Sequence, residues 1–232
     1  TARNIGLNNT NYTNPTGLPD DNLYTSAHDI ALLSKSLITN FPDLYKLYSK
    51  KSYTFNEIKQ YSRNKLLFID ENVDGIKTGF TKAAGYCLAS SAKRGQRRLI
   101  AVVMGAPSPD IRIQSSRTLL EYGFRFFETH NLFKKDTTIS KTKVYGGEKS
   151  ELQFGVSRDA VITIPRRQKK NLKYEYVIDK KLTAPVKQNE TIGFMNIKLD
   201  DKVIKTYKLS ALEDINQGSL YRRTLDSFLM DL

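Results

Sequence analysis

Few residues of this chain could cross-link the fold or anchor it in a membrane. Cys87 is the single cysteine among 232 residues, which excludes an internal disulfide framework and a cysteine-based zinc site. The most apolar uncharged stretch, residues 99–109, is far shorter than the roughly 20 residues that a membrane span requires. Hydrophobic residues nevertheless make up 39% of the sequence, so the chain can bury a core, with Cys87 as a small apolar member of it.

Acidic residues are in the minority. The chain has 37 lysines and arginines against 24 aspartates and glutamates, and the resulting charge of +13 is typical of proteins that meet a polyanion, an anionic membrane or an acidic substrate. The excess is +6 over residues 1–128 and +7 over 129–216, and no basic tail is present. Aromatic residues are not interleaved with the basic clusters at 93–98 and 166–170, so we expect solvated turns there and no nucleic-acid partner.

The patterning predicts two domains followed by the start of a helix. Helical and strand patterns alternate over residues 1–128, which indicates an α/β domain. Short alternating segments separated by turn residues fill 129–216, where helical periodicity is absent, and they indicate a small all-β domain. Residues 217–232 return to helical periodicity with one apolar face, as expected for the beginning of an amphipathic helix.

Within the first domain, capping, proline and turn residues indicate where helices and strands begin and end. A capping box at Ser26 opens a helix, and Pro42 ends it. Past the turn signal Asp74-Gly75 the pattern becomes β, and a helix over 109–127, with its aromatic residues facing the core, closes the domain. The last two of the three predicted strands form an antiparallel hairpin of central strands; the strands are 76–81, 86–92 and 97–104.

The first of these strands has the composition of a binding site. It contains Lys77, Thr78 and Gly79, and the lysine charge and the threonine hydroxyl together suit a carboxylate. A glycine in a strand lets another backbone approach closely. A Lys-Thr-Gly tripeptide alone is a weak signal, and its position between a turn and a hairpin strengthens it.

The longer motif Asp-Gly-Ile-Lys-Thr-Gly-Phe-Thr-Lys-Ala-Ala-Gly-Tyr, residues 74–86, resembles the serine D-alanyl-D-alanine carboxypeptidases, the low-molecular-mass penicillin-binding proteins. The resemblance covers essentially the whole chain and implies the α/β transpeptidase fold that these proteins share with β-lactamases, with its N-terminal part missing. A class A β-lactamase is disfavoured because residues 129–232 follow the peptidase domain. Four further segments are similar to the family: 11–18, 24–31, 63–67 and 122–128.

The resemblance implies roles for the residues of the motif. Lys77 and Thr78 would bind the terminal carboxylate of a D-Ala-D-Ala peptide or of a β-lactam. The strand backbone around Gly79 would pair with the substrate as an added strand. The backbone N–H of Phe80 would be one of two oxyanion donors.

Two arginines are candidates for the same site. Arg112, on the helix after the hairpin, matches an arginine that helps to hold the substrate carboxylate in the family; a surface helix charge is the alternative. Arg63 is a weaker candidate near the cleft, with a structural ion pair as its alternative. His28 and His130 have no carboxylate at triad-like spacing, and no pattern indicates a metal site.

The nucleophile of the family is expected to be absent. In the family the serine of S-x-x-K, and the S-x-N motif, lie upstream of the segment with which this chain begins. Ser90 and Ser140 each precede a lysine by three residues, but on predicted strands such a pair points to opposite faces. Ser62 would have to serve both motifs within a polar segment. The start at Thr1, without a signal peptide, indicates a processed or trimmed product.

The resemblance implies removal of the terminal D-Ala from peptidoglycan stem pentapeptides through an acyl-serine intermediate, and binding of penicillin, with no cofactor. This chain would contribute the substrate-binding strand and be inactive without the missing segment. Its C-terminal helix would lie on an anionic membrane surface, at the periplasmic side of the bacterial inner membrane. The alternative is a non-catalytic fragment that binds peptidoglycan or partner proteins through residues 129–216.

Overall fold

The computed structural model describes residues 2–179 and 181–230, without the side chains of 228–230. The chain divides into two compact units, Thr1–Phe126 and Phe127–Leu232. The first unit ends at 126 rather than at 128, because Phe127 is already the first residue of a strand that pairs within the second unit. The first unit is α/β, and the second is built from β-sheet with one helix at its end.

Helices and a hairpin precede the sheet of the first unit. Helix α1 (Ala27–Asn40) begins after Ser26, whose hydroxyl oxygen accepts a hydrogen bond from the Asp29 backbone N–H at 3.1 Å, as the capping box predicts. The other elements are short: 3₁₀ turns at Arg3–Ile5 and Lys46–Ser49, helices α2 (Pro42–Tyr45) and α3 (Leu66–Ile69), and the antiparallel strands β1 (Ser52–Phe55) and β2 (Ile58–Tyr61).

The sheet of the first unit has three antiparallel strands among the described residues: β3 (Val73–Thr81), β4 (Gly85–Arg94) and β5 (Arg97–Ala106), in the order β3–β4–β5. Helix α4 (Pro109–Phe126) follows. The predicted hairpin of β4 and β5 is confirmed. β4 is a central strand, as expected, and β5 pairs with β4 alone within the described residues. Its apolar run is explained by α1 and α4, which both contact it.

Two apolar clusters hold this sheet, one on each face. Because successive residues of a strand point to opposite faces, Leu88 and Ala89 belong to different clusters. Ala89 packs with Tyr45 and with the apolar side of α1. Leu88 packs against α4, through Ile113, Leu120 and Phe124. The sheet is therefore the middle layer of this unit, between α4 and α1.

The aromatic residues at the end of α4 differ from the expectation that all of them face the core. Phe124 is buried, whereas Tyr122 and Phe126 are 54% and 47% exposed and pack on each other. An α-helix turns once in 3.6 residues, so Phe124 shares the buried stripe with Leu120, and the residues two positions away lie on the opposite side. Phe127 is not on the helix, because it begins the next strand.

The second unit consists of two antiparallel sheets and a final helix. The elements are β6 (Phe127–Phe133), β7 (Ser140–Lys143), β8 (Glu151–Val156), β9 (Ala160–Pro165), a 3₁₀ turn (Lys169–Asn171), β10 (Leu172–Ile178), β11 (Thr191–Leu199), β12 (Lys202–Ala211) and α5 (Leu220–Met230). The larger sheet has the order β10–β11–β12–β8–β7, and the smaller one pairs β6 with β9. The expected all-β domain is confirmed; its core includes Leu152, Met195 and Leu209, and β6 is the strand that the pattern did not predict.

Helix α5 exposes part of its apolar face. Leu220 and Tyr221 are about four-fifths exposed, at 77% and 80%. The other residues of the predicted face at the end of the chain, Phe228, Leu229 and Leu232, lie outside the described side chains. Within the residues that the structure describes, no helix is both long and apolar enough to cross a membrane.

Candidate active site

Strand β3 places the Lys-Thr-Gly motif at the end of the sheet. Lys77, Gly79 and Phe80 are exposed, and Thr78 is buried. β3 pairs with β4 along its length, and no strand of the described chain lies on its other side. Backbone N–H and C=O groups on that edge are therefore available to pair with an extended peptide.

The two polar side chains of the motif leave the strand on opposite faces. Lys77 pairs with Ala89 and Thr78 with Leu88, and the side chains of successive strand residues point to opposite faces. The Lys77 ammonium donates a hydrogen bond to the Thr78 carbonyl oxygen, so the side chain lies along its own strand. A carboxylate at the edge of β3 can thus be approached by the cation from one face and by the hydroxyl from the other.

The two glycines of β3 have different surroundings. A Cβ atom at Gly75 would lie 2.6 Å from Tyr45 Oη, so the fold itself requires glycine there. A Cβ atom at Gly79 would meet only Cys87 Cβ, at 3.9 Å, which is an ordinary van der Waals contact. The contacts of the chain therefore do not explain glycine at 79, whereas a ligand backbone lying against the strand would explain it.

A polar network holds the start of β3. Arg98 of β5 binds the Asp74 carboxylate with both terminal nitrogens, at 2.6 and 2.7 Å, and donates to Ser91 Oγ at 2.6 Å. The Tyr45 hydroxyl donates to the same carboxylate at 2.8 Å. Burial raises the pKa of Tyr45, and the hydrogen bond to Asp74 raises the pKa of Arg98, so the phenol stays protonated and the guanidinium stays charged.

This network corrects the prediction of a turn at Asp74-Gly75. Both residues lie inside β3, where the pairing register is irregular between Val73 and Gly75. Asp74 is in the strand because Arg98 and Tyr45 bind its carboxylate. Gly75 is there because Tyr45 leaves no room for a side chain. Residue types that are typical of turns are here explained by contacts with distant parts of the sequence.

A buried asparagine that the sequence reasoning missed also contacts β3. Asn64 donates from Nδ2 to the Gly75 carbonyl oxygen at 2.9 Å, and its Oδ1 accepts from the Leu66 backbone N–H at 3.2 Å. Its neighbour Arg63, the weaker sequence candidate, is exposed, and its side chain forms no ion pair within the described residues. The structure therefore brings Asn64 to the strand and leaves Arg63 at the surface. In the sequence, the position of Asn64 just before the apolar pair 66–67 was the only indication of this role.

Arg112 is a buried residue and not a surface helix charge. Its side chain is 6% exposed, and Nη1 donates to the Cys87 carbonyl oxygen on β4 at 3.3 Å. The guanidinium carbon lies 5.7 Å from the centre of the Tyr86 ring, which in turn stacks on Phe80 at 4.3 Å. Arg112 is thereby linked to the motif through an aromatic pair, and its Nε has no partner among the described residues.

None of the three S-x-x-K strings forms a nucleophile–base pair in the described chain. Ser62 lies in the connection between β2 and α3, and the ammonium of Lys65 is 3.4 Å from Asp110. Ser90 is buried, and its hydroxyl donates to the Ala101 carbonyl oxygen at 3.2 Å. Ser140 and the lysine after it lie three residues apart on β7, so their side chains leave opposite faces.

The loop before α1 is tied down by a buried carboxylate that has a structural role. Asp29 Oδ2 accepts hydrogen bonds from the Thr10 hydroxyl and the Asn9 backbone N–H, both at 2.7 Å. The bond from Thr10 is the main cause that lowers the pKa of Asp29. The neighbouring His28 ring is exposed. Among the residues described, no group of three or more His, Cys, Asp and Glu side chains could hold a metal ion.

Comparison with known proteins identifies the class to which this edge strand belongs. Residues 1–108 match the peptidase S11 family, D-alanyl-D-alanine carboxypeptidase. Residues 127–217 match the C-terminal domain of penicillin-binding protein 5. The chain belongs to the D-alanyl-D-alanine carboxypeptidase family of penicillin-binding proteins.

Individual relatives agree with this assignment. D-alanyl-D-alanine carboxypeptidase DacC of Escherichia coli K12 is 41% identical over 231 residues, which are 99% of this chain and 58% of the relative. The crystal structure of penicillin-binding protein 5 from Haemophilus influenzae matches with a TM-score of 0.87 and 42% identity, over 93% of this chain and 64% of that one. The cefotaxime-bound penicillin-binding protein D2 of Listeria monocytogenes matches with a TM-score of 0.51 and 34% identity, over 53% of this chain and 52% of that one. The chain spans somewhat more than half the length of the curated relatives that it matches.

Proposed function

We propose that this chain supplies the substrate-binding strand of a D-alanyl-D-alanine carboxypeptidase, which removes the terminal D-Ala from peptidoglycan stem pentapeptides and binds β-lactams. The observation that carries the proposal is the open edge of β3, with an exposed lysine and a buried threonine at its centre, in a chain of the carboxypeptidase family. The names of the relatives do not favour the alternative of a non-catalytic binding fragment.

The proposed binding uses the side chains and the backbone of β3 together. Lys77 and Thr78 hold the terminal carboxylate of the substrate, because a charge-assisted contact and a hydroxyl donor suit that group. The substrate backbone then adds to the sheet along the open edge, against Gly79. The backbone N–H of Phe80 donates to the carbonyl oxygen that becomes negative on attack, a type of contact worth roughly 10²–10³ in rate.

Arg112 supports this site from behind β4 in the proposal. Its charge lies in a buried position, where water screens it less than at the surface. Its contacts with Cys87 and Tyr86 keep it beside the strand that pairs with the motif. Its buried Nε has no partner among the described residues, and the proposed role in holding a substrate carboxylate rests on the family pattern that Arg112 matches.

The acylating serine is proposed to come from residues outside this chain. The three S-x-x-K strings are unsuitable by their geometry, so acylation requires a family segment that carries S-x-x-K and S-x-N. In the proposed reaction the serine oxygen attacks the carbonyl carbon of the penultimate D-Ala. The terminal D-Ala leaves as the free amino acid, and water then hydrolyses the acyl-serine ester.

Labelling with a fluorescent penicillin tests the proposal. One sample is the chain alone. The other, the completed enzyme, is a protein in which this chain follows a family segment that carries S-x-x-K and S-x-N. We expect the chain alone to remain unlabelled and the completed enzyme to be labelled and to release D-Ala from a pentapeptide. Labelling of the chain alone would show that one of its own residues is a nucleophile, and an unlabelled, folded completed enzyme would refute the binding role of β3.

The proposal extends to the location of the protein. A net charge of +13 and the exposed Leu220 and Tyr221 of α5 support peripheral attachment to an anionic membrane surface, at the periplasmic side of the bacterial inner membrane. Co-sedimentation with anionic and with neutral lipid vesicles tests this attachment. Equal binding to both kinds of vesicle, or binding to neither, would contradict the electrostatic part of it.

A further inference from the structure

We propose that the depression at the end of β3 binds the substrate residue that precedes D-Ala-D-Ala, and that Lys82 pairs with a carboxylate on the side chain of that residue. The inference rests on the proposed function, because the direction of the bound peptide follows from the roles of Lys77 and Phe80. It adds a specificity determinant outside the Lys-Thr-Gly motif.

The direction of the peptide follows from two contacts on one strand. With the terminal carboxylate at Lys77 and Thr78 and the scissile carbonyl at the N–H of Phe80, the peptide runs antiparallel to β3. Each residue of an extended chain advances about 3.3 Å along its partner strand. The residue before the penultimate D-Ala therefore lies beside Thr81 and Lys82, where β3 ends and the turn to β4 begins.

Next to Phe80 and Lys82, the turn from β3 to β4 and the end of β5 line an open depression with a volume of about 480 Å³. One wall is the exposed ring of Phe80, which is 55% exposed and stacks on Tyr86. Tyr86 is itself held by the guanidinium of Arg112. The rest of the lining consists of small residues of the turn and of the end of β5, so the depression can accept the aliphatic part of a side chain.

The turn that carries Lys82 has a defined conformation. Thr81 Oγ1 accepts a hydrogen bond from the Ala84 backbone N–H at 2.9 Å, which closes the turn. Gly85 has a φ of +64°, and a Cβ atom there would lie 3.1 Å from the Ala106 carbonyl oxygen. The start of β4 and the end of β5 therefore approach each other closely, and the backbone beside Lys82 is fixed by contacts on both sides.

Charge decides which ligand the depression suits. Among the described residues that line it, Lys82 is the one charged side chain and none is acidic. The Lys82 ammonium is exposed and forms no hydrogen bond or ion pair in the described part of the chain. An aliphatic side chain that ends in a carboxylate complements this combination, whereas one that ends in an amine would meet a like charge.

The test uses the completed enzyme and two acetylated peptides that end in D-Ala-D-Ala. They differ only in whether the side chain of the preceding residue ends in a carboxylate or in the matching carboxamide. The variants are Lys82→Gln and Lys82→Arg, with Lys35→Gln, an exposed residue of α1, as the matched control. The readouts are kcat/KM for D-Ala release from each peptide and the rate of acylation by benzylpenicillin, which has no charged group on its acyl side chain.

We expect the parent to prefer the carboxylate peptide by about two- to fivefold, the range of an exposed ion pair. Lys82→Gln should abolish this preference without slowing benzylpenicillin acylation. Lys82→Arg keeps the positive charge and should retain the preference, and Lys35→Gln should leave the preference unchanged. A preference that persists in Lys82→Gln, or an equal loss for both peptides and for penicillin, would overturn the inference. A folded parent that neither reacts with penicillin nor releases D-Ala would instead refute the proposed function, and this inference with it.

Discussion

Strands β3 and β10 are both end strands of antiparallel sheets, and they are stabilised in different ways. Polar contacts from distant parts of the first unit, made by Tyr45, Asn64 and Arg98, hold the start of β3. β10 pairs with β11 along its length, and two of its aromatic side chains pack on neighbouring rings of the second unit. The ring pairs are Tyr174 with Phe133, at 5.4 Å, and Tyr176 with Phe154, at 5.8 Å.

The difference shows what a binding edge requires beyond a stable sheet. β10 carries Lys173 and Glu175, whose charges are paired with Asp201 and Lys198, and charged residues on an end strand oppose the addition of another strand. β3 instead exposes a single charge, Lys77, beside a glycine at 79. A strand that must pair with a ligand needs its backbone fixed in advance, and the network around Asp74 does this without covering the edge.

Gly75→Ala should produce the largest effect and the sharpest contrast within β3. The added Cβ atom would lie 2.6 Å from Tyr45 Oη, so either the strand or the tyrosine must move, at a cost of about 1–3 kcal/mol in the free energy of unfolding. Gly79→Ala, four residues away, should leave that free energy nearly unchanged because the nearest contact is 3.9 Å. Urea unfolding of both variants measures this difference, and equal destabilisation would contradict the assignment of Gly75 to the fold and Gly79 to the ligand.

Asp74→Asn should produce a smaller effect. The substitution removes the negative charge of the carboxylate that both Arg98 and Tyr45 bind. Because the Asp74–Arg98 ion pair is partly solvated, we expect a loss of about 1–2 kcal/mol in the free energy of unfolding. Acylation of the completed enzyme should slow as well, because the start of β3 is no longer held. Lys173→Gln is the matched control on β10, where an exposed ion pair is lost, and it should change neither quantity measurably. Normal stability and acylation in Asp74→Asn would contradict the positioning role of the network.

The sequence was sufficient to predict the elements that depend on local pattern. The β4–β5 hairpin and α1 have clear periodicity and clear capping or turn residues, and the motif at 77–79 is recognisable within the longer pattern of residues 74–86. The network around β3 could not be predicted in this way. Tyr45 and Asp74 are 29 residues apart and meet only because two elements pack together. The Asp-Gly pair was for the same reason mistaken for a turn.

Two other differences have physical explanations of the same kind. β6 was not predicted because its polar residues, such as Thr129, His130 and Asn131, hide the alternation, and the strand is defined by its pairing with β9. Arg112 was expected either to help hold the substrate carboxylate or to be an exposed charge on the surface of a helix. Its burial against Cys87 and Tyr86 depends on how α4 packs on the sheet, which periodicity does not specify for a charged residue.

The central claim is that β3 binds the substrate carboxylate. Penicillin acylation of the Lys77→Ala variant of the completed enzyme tests this claim most directly. Loss of a charge-assisted contact should slow acylation about 10- to 100-fold. The free energy of unfolding should stay the same, because the Lys77 side chain is exposed. Lys35→Ala on α1 is the matched control and should react at the parent rate. Near-normal acylation of a folded Lys77→Ala variant would contradict the account.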